Sequence, residues 1–114
     1  MTDKQSRVMQ CADFFKAVGE PNRVRIIGLL LGRPRTVEEI AATLDMCHTL
    51  ATSHLARLAS VGLVSIESEG CNVRYRIHAG LFLTMTKRLL GLVADVEPRR
   101  PLLRLVKPTQ SPVT

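Results

Sequence analysis

No apolar run in this chain approaches the ~20 residues that a membrane-spanning helix requires. The longest, Ile26 to Leu31, is interrupted by Gly28 and bounded by Arg25 and Arg33, which excludes an anchor of that kind. The first seven residues are polar and lack the apolar segment of a secretory signal, so a cytoplasmic location is expected. Cysteine is scarce: Cys11, Cys47 and Cys71 form no C-x-x-C pair and are odd in number. A disulfide framework is thereby excluded in a reducing compartment, and free thiols are expected. Three histidines without paired spacing, and no nucleophile with its base and acid, exclude a histidine metal site and an enzyme, and no cofactor is required.

What is present fits one small folded domain, since 114 residues leave no room for a separate catalytic unit. With 46% hydrophobic and 23% charged residues the chain can bury a core. A net charge of +6 suggests a polyanionic partner, but Arg99, Arg100, Arg104 and Lys107 fall in a segment, 98–114, that has no acid. That segment also holds four prolines and is expected to be a flexible basic tail on a domain spanning 1–97. The domain itself holds twelve basic against ten acidic residues, so nucleic-acid binding must be read from motifs and not from bulk charge.

Val8, Ala12, Phe15 and Val18 recur at helical spacing, which predicts a helix over about 5–18, ended by Gly19. Pro21 opens a second, whose apolar set is Val24, Ile27, Leu30 and Leu31, closed by Gly32 and Pro34. Thr36-Val37-Glu38-Glu39 is a capping box, and Val37, Ile40, Ala41 and Leu44 give the buried stripe of a third helix. After only Asp45-Met46-Cys47, a fourth helix from His48 to Val61 puts Ala51, Leu55 and Leu58 on one face and Thr49, Thr52, Ser53 and Ala56 on the other. Gly62 suits the left-handed position that terminates it.

The period then changes to two. Val64 and Ile66 alternate with Ser65 and Glu67; after a turn at Glu69-Gly70-Cys71-Asn72, Val73, Tyr75 and Ile77 alternate with Arg74, Arg76 and His78. This predicts a hairpin with a basic outer face. A fifth helix, Ala79 to Val96, is too apolar for so small a core and argues for a second copy of the chain. The expected fold is mainly α with a small β-hairpin: a winged helix-turn-helix of five helices, the two-stranded wing lying between helices 4 and 5. Helix 4 is then the recognition helix, with Thr49, Thr52 and Ser53 facing bases, His48 and Arg57 reaching bases or phosphates, and Arg74 and Arg76 holding the backbone. A solvated helix face and a protein-interaction module are the bland readings of the same residues.

The chain resembles the ArsR/SmtB family of bacterial winged-helix regulators over about residues 10–93. The likeness is carried by Ala17-Val18-Gly19-Glu20-Pro21-Asn22-Arg23-Val24-Arg25-Ile26-Ile27, Thr52-Ser53-His54-Leu55-Ala56-Arg57-Leu58, Gly62-Leu63-Val64 and Val73-Arg74-Tyr75-Arg76-Ile77. It implies a homodimer through helices 1 and 5 that binds double-stranded, partly palindromic operator DNA and leaves it when an inducer binds. The family's cysteine-rich metal motif would fall at Thr36-Val37-Glu38, where there is no thiol, and its zinc ligands along the last helix are missing. His48 and Thr49 stand where glutamine and proline are common, and Cys71 where the wing tip often has arginine.

The inducer therefore stays open among a thiophilic metal or metalloid, a thiol-reactive species, and none. Cys47, at the start of the recognition helix, is the first candidate thiol sensor, with passive replacement of a capping serine as the other reading. Cys71 is expected to be exposed in the turn and Cys11 buried in the first helix. His54 is open between core packing and DNA contact.

Overall fold

The computed structural model describes residues 3–96, with side chains through 92. In chain order the elements are α1 (Asp3–Val18), α2 (Pro21–Gly32), α3 (Val37–Leu44), α4 (His48–Ser60), β1 (Val64–Glu69), β2 (Asn72–Ile77) and α5 (Ala79–Val96). The segment expected to form a tail, 98–114, lies outside the described residues.

Local chemistry sets the boundaries. Pro21 occupies the first turn of α2, and the Glu20 side chain caps that helix by accepting from the Arg23 amide at 3.0 Å. Burial pushes the Glu20 carboxyl up, but the amides of Arg23 and Asn22 donate to it and leave its pKa lowered. The capping box at α3 is complete: the Glu39 amide donates to Thr36 Oγ1 at 3.1 Å, and the Thr36 amide donates to Glu39 Oε1 at 2.9 Å. Asp45, left-handed at φ 55°, ends α3, and Cys47 takes the N-cap place of α4 without a side-chain cap bond. Gly62, at φ 82°, turns the chain out of α4 so that the Leu63 amide reaches Leu58 O at 3.1 Å.

The core joins Cys11 and Phe14 of α1, Ile26, Ile27 and Leu30 of α2, Ile40 of α3, and Ala51, Leu55 and Leu58 of α4, with Leu63, Val64 and Met85. Phe14 packs edge-on against both Phe15 and Phe82, with centroids 5.0 and 5.5 Å away. On α1 and α2 the buried face overlaps the expected one only in part: Ile27 and Leu30 are buried, and Phe15 and Val18 pack partly buried against the core, as expected. Cys11, Phe14 and Ala17 are buried while Val8 and Ala12 are exposed, and Ile26 is buried while Val24 and Leu31 are exposed. Each of these helices is apolar over more of its circumference than the core can cover, so Val8, Ala12, Val24 and Leu31 are left outside.

The hairpin pairs Val64 with Ile77, Ile66 with Tyr75 and Glu67 with Arg74, antiparallel. Glu69 and Asn72 belong to the strands, so the turn is only Gly70-Cys71, tighter than the four residues expected. A contact that the sequence did not announce extends the sheet. Arg35 and Tyr75 exchange both backbone hydrogen bonds, at 3.2 and 2.7 Å, while Arg35 Nε donates to Leu29 O at 3.2 Å.

Candidate nucleic-acid interface

The turn between α3 and α4 directs α4 so that one face packs and the other stays open. Ala51, His54, Leu55 and Leu58 are buried; Thr49, Thr52, Ser53 and Ala56 are exposed. The structure thus brings Thr49, Thr52 and Ser53 onto one accessible surface, as expected from the spacing. Leu50, absent from the sequence-based set, is also exposed beside them, because its helical position falls between the two faces.

The charged candidates are less free. His48 Nε2 lies 3.5 Å from Glu38 Oε2, on the first turn of α3. Arg57 turns toward α1, with Nη2 2.8 Å from Asp13 Oδ1 and Nη1 donating to Ser60 Oγ at 3.0 Å. On the wing, Glu67 and Glu69 share a face with Arg74 and Arg76, so that face is mixed and not simply basic. Arg76 Nε donates to Glu67 Oε2, which leaves Arg74 as the wing arginine without a partner among the described residues.

His54 is a core residue in this chain, 9% exposed. Its Nδ1 lies 3.2 Å from Arg23 Nη1 and 3.6 Å from Glu20 Oε2. Its Nε2 is buried without a hydrogen-bond partner among the described residues. Cys11 is buried, whereas Cys47, at the start of α4, and Cys71, in the hairpin turn, are exposed. Among the described residues no three histidine, cysteine or acidic side chains gather as a metal set within one chain. None of the described helices is long and apolar enough to cross a membrane.

Two helices around a short turn, an exposed polar face on the second, and an antiparallel hairpin behind it define a winged helix-turn-helix protein. Residues 20–65 match the model of the bacterial regulatory protein arsR family. A fragment spanning residues 1–100 of a Mycobacterium bovis transcriptional regulatory protein, solved by crystallography, is 35% identical, with 77% of this chain and 94% of that one covered and a TM-score of 0.61. The chain belongs to the ArsR family, whose fold is that of DNA-binding transcription regulators and not of enzymes. The same Mycobacterium bovis fragment, solved by NMR as the homodimeric winged helix-turn-helix DNA-binding domain of Mb0332, aligns at 28% identity, TM-score 0.66, and coverage of 89% of this chain and 95% of that one. The HTH-type transcriptional regulator Rv0324 of Mycobacterium tuberculosis is 36% identical over 82% of this chain, which spans only 42% of that relative's length.

Proposed function

We propose that the chain is a cytoplasmic, sequence-specific repressor that binds double-stranded operator DNA as a homodimer and leaves it when an inducer acts. The observation that carries this reading is the open face of α4, where Thr49, Thr52 and Ser53 stand exposed next to a wing whose Arg74 is free to meet phosphate. His48 and Arg76 extend that surface, and Arg57 joins it if it leaves Asp13. A dimer through α1 and α5 is supported by the exposed Val8 and Met9 of the one and Leu83, Leu89 and Leu90 of the other, and by the homodimeric state of the Mb0332 domain.

The signal in this reading is a thiophilic metal or metalloid, or a thiol-reactive species, acting at Cys47 with Cys71 and Cys11 as further candidates. Cys47 is exposed at the start of α4 and makes no capping bond, so an adduct there meets the DNA surface without first breaking a helix cap.

The test is a gel shift on the duplex upstream of the protein's own gene, repeated with arsenite, zinc, peroxide and reductant. Selective binding that salt weakens, reversed by one of these additions, is expected. Equal affinity for random DNA would overturn operator recognition. Cys47→Ser should retain binding and lose release, because serine caps the same helix; unchanged release in the triple cysteine variant would end thiol sensing.

A further inference from the structure

Major-groove recognition has a limited vocabulary. Guanine is read by two donors from Arg or Lys on O6 and N7, and adenine by Asn or Gln on N6 and N7. Between His48 and Ala56 the recognition helix contains none of these four residue types. The two nitrogen-bearing side chains at its margins are both engaged, His48 Nε2 lying 3.5 Å from Glu38 and Arg57 Nη2 2.8 Å from Asp13. The exposed face offers instead three hydroxyls, on Thr49, Thr52 and Ser53, and the methyl groups of Thr49, Thr52, Ala56 and Leu50.

A hydroxyl can donate or accept and so discriminates weakly among base edges. A methyl group has one apolar partner in the major groove, the C5-methyl of thymine. We infer that this chain reads its half-site through thymine methyl groups packed against Thr49, Thr52, Ala56 and Leu50, without a guanine anchored by a cation from α4. The small side chains serve this geometry. A short hydroxyl or methyl residue lets the helix backbone settle close to the base edges, and methyl contact decays within a fraction of an ångström beyond van der Waals distance. The wing, with Arg74 free, supplies the charge that the helix lacks. This inference rests on the operator-binding reading above and specifies which bases that site selects.

The experiment uses the full chain and two steps. Selection from a randomised duplex library identifies the preferred half-site; each of its thymines is then replaced by deoxyuridine, which removes only the C5-methyl, and affinity is read by fluorescence anisotropy. At contacted positions the replacement should weaken binding about fourfold per methyl, which corresponds to ~0.8 kcal/mol. Thr52→Ser, which keeps the hydroxyl and deletes the methyl, should lose a similar factor on the thymine operator and abolish the thymine-to-uracil difference at one position. Its circular dichroism should match that of the unaltered protein. Selected half-sites anchored by invariant guanines under α4 would overturn the inference, as would binding insensitive to uracil at every thymine; either leaves operator binding itself standing. Failure to select any sequence would overturn operator binding, and this inference with it.

Discussion

The helix-turn-helix of α3 and α4 and the pair formed by α1 and α5 use apolar residues in opposite ways. Across α3 and α4 only Leu50 is a large apolar side chain left exposed, and it lies beside the open face of the recognition helix. Of the ten such residues among the described ones, five are on α1 and α5: Val8, Met9, Leu83, Leu89 and Leu90. The first region is finished by its own chain, with a capping box at the start of α3 and a stripe that reaches zero exposure at Ile40, Leu55 and Leu58. The second uses one stripe for the core and presents another outward. In the proposed reading, completeness in one region and incompleteness in the other divide the labour of a small regulator: one surface would meet a groove, and the other a copy of itself.

Breaking the finished half should cost most. Leu55→Ala, at a position with no exposure, should lower unfolding free energy by about 2–5 kcal/mol in urea denaturation, through lost transfer energy and the cavity left behind. In the unfinished half, Leu90→Glu should leave the fold intact by circular dichroism yet dissociate the dimer by sedimentation, since a carboxylate buried without a partner costs several kcal/mol. A stable dimer in that variant would place the joint elsewhere and remove the contrast.

Smaller changes sharpen the comparison. Thr36→Ala should cost about 1 kcal/mol by opening the capping box, and Thr36→Ser should restore it. The same box has a pH signature. The Thr36 amide, with Arg33 assisting, outweighs partial burial and holds the Glu39 carboxyl below its ordinary pKa. The charged form is thus favoured in the folded state. Its stabilisation is present above the unfolded pKa and is lost as pH falls through the lowered one, an acid-side loss that Glu39→Gln should reduce in thermal melts. Smallest in energy is the division between the wing arginines: Arg74→Ala should flatten the salt dependence of DNA affinity by about one unit of slope, and Arg76→Ala by less, because Glu67 already holds Arg76. Equal slopes would show that DNA displaces Glu67.

The elements legible in the sequence were those with local signals. The capping threonine, Gly62 and the change of period after it located α3, α4 and the wing within a residue or two. The buried faces of α1 and α2 were legible only in part: Phe15, Val18, Ile27 and Leu30 meet the core as the spacing suggests, but Val8 and Val24 recur at helical spacing as well as Phe14 and Ile26 do, and periodicity alone does not separate them. Within the candidate site, Thr49, Thr52 and Ser53 followed from spacing. The engagement of Arg57 did not, since Asp13 lies 44 positions away in the chain. His54 could be placed only once Glu20 and Arg23 were seen beside it. Arg35 carried no signal, being one extended residue between Pro34 and Thr36.

Arg35 nevertheless ties three elements together. Its backbone holds Tyr75 in the wing, its side chain holds the last turn of α2 at Leu29, and the next residue is the threonine that caps α3. Hairpin and helix-turn-helix are therefore joined at Arg35 as well as through the core residues Leu63 and Val64, like the two arms of a caliper whose opening is fixed in advance. If α4 and the wing bind DNA as proposed, a duplex whose groove spacing suits that opening would be met by both arms at once, and one with a different curvature would have to be bent to fit or touched by one arm alone.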